Sequence, residues 1–333
     1  MRKLFWGIIT VSLAWSAYWY IGANTVQGKA VAWLEDRRAE GWAADAADIT
    51  TRGFPSRFDT TLVDLRLADP ETGVGWAAPF FQVFMLSYRP NEIIAVWPPE
   101  HTLILPDGNV TLQADDMRAS ARFRPNTALE LENAVVDLKG LQITDPDGGI
   151  SSLDQGMLAV RRVEIIENTY DIFFDATALQ PGGAIKQIID PNGRLPDVFE
   201  VARFDLQAGF DRPWTRAAVE QARPQPTALQ IKDIHAKWGA LDLRLAGDMV
   251  ISPAGRPTGQ ITVKLTNWQD LVTLLVETGV IPANFARTLD GLLGSLARAS
   301  GPPNTLDVPV TLSGGDMRVG FIPLGPAPVL KIR

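Results

Sequence analysis

The sequence predicts a mainly β (α+β) protein, in which an N-terminal transmembrane helix is followed by a large antiparallel, curved sheet with a few covering helices. Three observations predict it. The chain opens on a long uncharged apolar run. Most of the remaining sequence alternates apolar and polar residues with period two between turn-forming clusters, and only two late segments carry a helical apolar stripe. An apolar share of 46% over 333 residues supports a real core and excludes a disordered chain.

The first element is the leader. After Met1-Arg2-Lys3 comes LFWGIITVSLAWSAYWYIGA, Leu4 to Ala23; as a helix rising about 1.5 Å per residue, it spans roughly 30 Å of hydrocarbon. A cleaved signal peptide has a shorter apolar region of about 7–15 residues ending in a small-x-small site. Ala14-Trp15-Ser16 is a poor site of that kind, which favours a retained anchor over residues 1–23. Trp15, Tyr18, Trp19 and Tyr20 gather at the far end of the run, where amphipathic rings prefer the headgroup zone. Arg2 and Lys3 precede it, so the positive-inside rule keeps the N-terminus in the cytoplasm and sends the rest across a single span.

From Val26 to Glu40, residues Val26, Ala30, Val31, Trp33, Leu34 and Arg37 recur at helical spacings, with Gly41 as a stop. Residues 24–41 therefore read as a membrane-exit helix. Residues 42–333 read as a β-rich domain, with room for two halves meeting near 180–225.

The first strand of that domain lies in GFPSRFDTTLVDLRLADPETG, Gly53 to Gly73. Pro55 biases Phe54 to an extended conformation, and the strand after it changes its apolar face midway. Phe58 and Leu62 share one face; Val63, Leu65 and Leu67 share the other. Either a bulge sits near Thr61 to Val63 or both faces are covered there. PFFQVFMLSY, Pro79 to Tyr88, is apolar on both faces.

The clearest hairpin is LDLRLAGDMVI followed by QITVKLT. Leu241, Leu243, Leu245, Met249 and Ile251 share one face, Ile261, Val263 and Leu265 repeat the scheme, and the connecting SPAGRPTG is turn chemistry. RASARFR, FEVARFDLQAGF, DVPVTL and DMRVGFI alternate likewise, punctuated by DPETG, PDGN, DPDGG and DPNG. Strands following strands favour an antiparallel meander over a parallel doubly wound sheet.

Trp268, Leu271, Val272, Leu275 and Val276 form one late helical stripe, with Asn267 as its N-cap. Phe285, Leu289, Leu292, Leu293 and Leu296 form another, and Ile281-Pro282 separates them. These helices either cover the sheet's apolar face or act as a movable lid over an apolar groove.

Little in the chain points to chemistry. Cysteine is absent, which removes disulfides, thiolate nucleophiles and Cys-based metal sites, and the two histidines, His101 and His235, lack a partner at metal-ligand spacing. No nucleophile elbow, phosphate loop, dinucleotide fingerprint or zinc-protease helix occurs. DPDGG at 145–149 resembles half a calcium loop but lacks the distal ligands and reads as a turn. Arg161-Arg162 reads as a charged pair on the solvated side of a strand, and Asp115-Asp116 as neighbours facing opposite ways. A net charge of −7 without basic blocks argues against nucleic acid. The expectation is no enzyme, no cofactor and no metal.

The one-span leader, GFPSRFDTTLVDLRL, VWPPEHTLILPDG and WGALDLRLAGDMVISPAGRPTGQITVKLTNWQDLVTLL together resemble an alphaproteobacterial family of envelope proteins, the domain of unknown function 2125. The Gly-x-Pro strand opening and GRPTGQITVKLTN are more loosely similar to AsmA-like envelope proteins. The resemblance implies a protein of the bacterial inner membrane with a β-rich domain in the periplasm, and the looser likeness implies a curled sheet associated with phospholipid traffic. Two functions are expected on these grounds. One is lipid handling in an apolar trough whose groove or lid includes Phe84, Leu86, Leu275 and Leu292, with the bilayer contacted through residues 4–23 and phospholipid acyl chains as ligand. The other is a non-enzymatic periplasmic scaffold whose protein partners the sequence does not name.

Overall fold

A computed structural model describes residues 1–220, 222–279 and 283–332. The apolar run and the segment beyond it form one uninterrupted helix, α1 (Arg2–Ala39), with no break at residue 23. Among the described residues it is the one helix long and apolar enough to cross a membrane. It stops where the sequence offers Gly41, which has φ +92°, and Arg37 and Arg38 lie in its last turn, where the helix dipole favours cations.

The chain divides into two compact units, Met1–Pro125 with Val136–Gly148, and Asn126–Val135 with Gly149–Arg333. The division thus falls at 126–148 and not within 180–225. Residues 180–225 sit inside the second unit because β11 (Thr169–Thr177) and β12 (Val201–Phe210) pair directly across that long connection.

The first unit contains α1 and the antiparallel strands β1 (Ala43–Asp45), β2 (Asp48–Arg52), β3 (Arg57–Ala68), β4 (Gly75–Leu86), β5 (Arg89–Val96), β6 (Glu100–Leu105), β7 (Gly108–Gln113) and β8 (Asp116–Phe123). β3 pairs with β1, β2 and β4, and β4 pairs with both β5 and β6. β5 continues to β8, and β6 to β7. β9 (Leu131–Thr144) contributes residues to both units, and its last residues pair with β7. The change of face expected in β3 occurs at Asp64, one residue beyond the predicted window. Asp64 has φ +49° and stands opposite Pro79, between the pairs Val63↔Phe80 and Leu65↔Ala78. Proline has no N–H to offer the ladder, so Asp64 is free to leave the extended region, which Asp tolerates better than most residues. Buried positions then jump from Phe58, Thr60 and Leu62 to Leu65. Leu62 and Leu65 both reach the cluster of Leu34 and Ala44.

The second unit is a meander. β10 (Ile150–Arg162), β11, β12, β13 (Pro226–Trp238), β14 (Leu241–Ile251), β15 (Pro257–Thr266), β16 (Thr305–Ser313), β17 (Asp316–Val319) and β18 (Ile322–Pro326) each pair antiparallel with the next. The predicted hairpin is β14–β15, with Leu243↔Leu265 and Leu245↔Val263 in register. DMRVGFI is not one strand but two, β17 and β18, split by a turn in which Gly320 has φ +59° and Phe321 is exposed. Two short helices, α2 (Gly183–Ile189) and α3 (Arg216–Glu220), fall in the β11–β12 and β12–β13 connections.

The late stripes are helices α4 (Trp268–Glu277) and α5 (Ala283–Ser300). Trp268, Val272 and Ala297 are buried with Leu265, Leu306, Val308 and Val310 of the sheet, and Leu271, Leu293 and Leu296 pack around them. Asn267 occupies the N-cap position of α4 but does not cap it through its side chain. Its φ is +56°, and its amide donates instead to the Ala240 carbonyl at 2.5 Å. The Ile281-Pro282 break lies outside the described residues, as do the side chains of Phe285 and Leu289.

Candidate functional site

The predicted aromatic belt proves to be a docking surface for the sheet of its own unit. Trp15 Nε1 donates to the Pro55 carbonyl at 2.9 Å, Tyr18 Oη to the Ser87 carbonyl at 2.6 Å, and Trp19 Nε1 to the Arg57 carbonyl at 2.7 Å. The acceptors belong to two tight turns. In the first, Gly53 has φ +107° and a Cβ there would lie 2.9 Å from the Arg57 carbonyl oxygen, so glycine allows the Arg57 N–H to close on the Gly53 carbonyl at 2.9 Å. The second turn, between β4 and β5, is tied to the first by the Ser87 N–H donating to the Ser56 carbonyl at 2.9 Å. Trp19 also meets the rings of Phe54 and Phe58. Tyr20 takes no part in these bonds and is 66% exposed.

Beyond this collar the helix continues along the sheet. Gln27 Oε1 accepts from the Thr51 N–H at 3.3 Å, Leu34 is buried, and Arg38 pairs with Asp45 at 2.9 Å. Sequence reasoning singled out Trp15, Tyr18 and Trp19 as rings for the headgroup zone, not as donors to the sheet, and did not find their acceptors. The available signals were the Gly-Phe-Pro turn and Gly22, a small residue within the apolar helix.

Phe84 and Leu86 are half-buried and share one face of β4, opposite Asp59 and Arg57 of β3. Phe58, which meets α1, pairs with Met85 on the other face. Leu275 and Leu292 are half-buried on α4 and α5 of the second unit. The structure therefore brings Phe84 and Leu86 together and places Leu275 and Leu292 in a separate unit.

Each unit carries surface depressions. One of about 430 Å³ in the second unit is lined by Ile166, Ala228, Leu229, Met249, Val250 and the backbone of Gly209 and Gly259 among others. One of about 380 Å³ lies between Leu274 of α4 and the Arg194–Pro196 segment. In the first unit, about 410 Å³ opens beside the Asp64 irregularity, lined by Arg66, Pro79, Glu100 and His101. These volumes fall in the range of small-ligand sites. Burial holds the His101 imidazole below its ordinary pKa against a hydrogen bond with the Pro98 backbone.

The polar face of the second unit's sheet is strongly charged. Burial alone would raise Asp171, but hydrogen bonds from Lys232, Gln207 and Arg161 bring its carboxyl down to about 2. Donating that bond to Asp171 in turn raises Lys232. Arg161 is solvated and pairs with Asp171 at 3.0 Å, whereas its neighbour Arg162 turns inward to Glu130 at 3.6 Å, so the two arginines do not share a solvated side. Strand geometry sends successive side chains to opposite faces. Along one row, Asp175, Arg203, His235, Arg244, Lys264 and Asp307 stand opposite one another across six strands.

Among the described residues, no group of three or more His, Asp or Glu side chains is placed to hold a metal ion. No curated protein and no solved structure matches this chain. Residues 19–328 match the family described as "Uncharacterized protein conserved in bacteria (DUF2125)", a match covering most of the 333 residues, and the chain belongs to that family.

Proposed function

We propose that this is a single-pass protein of the bacterial inner membrane whose β-rich portion lies in the periplasm and engages phospholipid acyl chains on a curved apolar sheet face, without catalysing a reaction. The observation that carries the reading is the docking of Trp15, Tyr18 and Trp19 on the Pro55, Ser87 and Arg57 carbonyls, because it fixes a sheet against the very helix able to cross the bilayer. A domain meant only to be tethered needs a linker, not three side-chain bonds to its anchor. Orientation is supported by Arg2 and Lys3 before the apolar run. Arg37 and Arg38, beyond it, are paired with Glu40 and Asp45. The lipid step is supported by the apolar lining of the 430 Å³ depression and by the half-buried Phe84 and Leu86.

The test is mass spectrometry of lipids retained by the full chain in mild detergent, against a control in which α1 anchors an unrelated soluble domain. Enrichment of particular phospholipids over that control supports the reading. Equal lipid in both turns the assignment toward a periplasmic scaffold, for which the row from Asp175 to Asp307, with Arg244 and Lys264 exposed side by side at its middle, offers a charged surface. A periplasm-dependent reporter fused at the C-terminus checks orientation separately.

A further inference from the structure

We propose that the turns Gly53–Arg57 and Ser87–Arg89 insert into the membrane leaflet on the domain's side, with Phe54 and Tyr88 as the inserting side chains. The inference rests on the proposed membrane-spanning role of α1 and adds to it a second, non-helical contact with lipid.

Depth within the bilayer requires it. From Lys3, the last charge before the apolar run, to Trp15 is about 18 Å of helix, while the hydrocarbon layer is about 30 Å thick. With Lys3 at the inner boundary, Trp15 lies roughly 12 Å short of the outer one and Trp19 roughly 6 Å short, and any tilt leaves them deeper still. The turns bonded to these residues must sit at the same depth. Their backbone is suited to that position. A carbonyl without a partner is costly away from water, and those of Pro55, Arg57 and Ser87 each accept a hydrogen bond from an aromatic side chain of α1. The Ser56 carbonyl accepts from the Ser87 N–H.

The side chains at the turns complete the match. Phe54 is 57% exposed and Tyr88 58% exposed, although both are large aromatics on the surface of a folded unit. Arg57 and Arg89 flank them with long side chains more than half exposed, each paired with one carboxylate, Asp59 or Glu92. Apolar ring tips suit the acyl-chain layer, and long arginine side chains rooted there can extend their charged heads outward to the phosphates.

The chain has no cysteine, so single-cysteine labelling is clean. The full chain carrying Phe54→Cys or Tyr88→Cys is labelled with an environment-sensitive fluorophore. It is then reconstituted in phosphatidylethanolamine/phosphatidylglycerol vesicles containing lipids spin-labelled at shallow or deep acyl positions. Ile8→Cys, within the span, and Trp33→Cys, far along the same helix, serve as references. The expected result is a roughly twofold loss of emission at positions 54 and 88 with at least one of the two quenchers and none at 33, while position 8, about 7.5 Å of helix beyond Lys3, is quenched as well. Quenching at position 8 with none at 54 and 88 overturns the insertion and leaves those aromatics for a protein partner. No quenching at position 8 overturns the spanning reading, and the insertion with it. Positions 54 and 88 lie on different turns, so a folding defect in one variant leaves the other decisive.

Discussion

Gly22 of α1 stands so close to the ring of Phe58 on β3 that a Cβ at position 22 would lie 2.5 Å from Phe58 Cζ. Glycine within a helix costs about 1 kcal/mol relative to alanine, so its presence here needs a compensating gain. The gain is the close approach of helix and sheet that lets Trp15, Tyr18 and Trp19 reach backbone carbonyls on both turns.

Gly22→Leu is therefore expected to lower stability by about 1–3 kcal/mol, the scale of an overpacked contact. Adding Phe58→Ala should return part of that loss, because the new side chain then fills the space the ring leaves. Thermal unfolding of the two single variants and the double variant in detergent gives the coupling between the positions. Strict additivity would show that helix and sheet do not press on one another at this point.

The hairpin offers a sharper contrast. Leu243 of β14 packs against the cluster around Trp268, whereas Arg244 is more than half exposed and reaches Asp242 only at 3.9 Å. Leu243→Asp, which buries an unpaired charge, should be severely destabilising, and Arg244→Thr should stay within about 0.5 kcal/mol of the parent. Comparable melting shifts would defeat the assignment of faces.

How legible each feature was in the sequence depends on how local it is. The β14–β15 hairpin was readable because alternation and turn chemistry lie within one stretch, and so was the end of α1 at Gly41. The face change in β3 was visible as a broken pattern, yet its position at Asp64 depends on Pro79 of the facing strand, which alternation within β3 does not contain. Asn267 looked like a cap because it precedes an apolar stripe, but the competing acceptor, the Ala240 carbonyl, lies 27 residues away. The collar was half legible for the same reason. Its donors cluster in sequence, while their acceptors come from turns near residues 55 and 87.

Acid sensitivity should centre on Asp171. Its carboxyl is held at about 2 in the folded protein, below the ordinary value of 3.8. A depressed carboxylate contributes stability that is complete above the unfolded value and is lost as pH falls through the folded one. The contribution should therefore be present at pH 5 and decline between roughly pH 4 and pH 2. Lys232 runs the other way. Its raised value means that its share is present below about 10.5 and is lost as pH rises through the folded pKa. Asp171→Asn should reduce stability at pH 7 and flatten the decline between pH 4 and pH 2 in urea titrations. An unchanged acid limb would show that Lys232, Gln207 and Arg161 do not hold the carboxylate in solution.

The last prediction separates packing from lipid contact on one helix. Leu293 of α5 packs against the core around Trp268, and Leu292, its neighbour in sequence, is half-buried. Leu293→Ser should cost roughly 2–5 kcal/mol, the scale of a large-to-small core change with a buried hydroxyl. Leu292→Ser, and Leu275→Ser on α4, should cost less, because neither side chain belongs to the cluster around Trp268, and under the proposed lipid role they should reduce the lipid retained by the folded protein. The measurement pairs circular-dichroism melting with lipid content on the same preparations, so that lipid lost through unfolding is distinguished from lipid lost at constant fold. If Leu292→Ser and Leu275→Ser melt as early as Leu293→Ser and lose lipid only in proportion, both leucines are packing and α4 and α5 are simply the cover of the sheet. If lipid falls while melting holds, these helices border the site at which acyl chains bind.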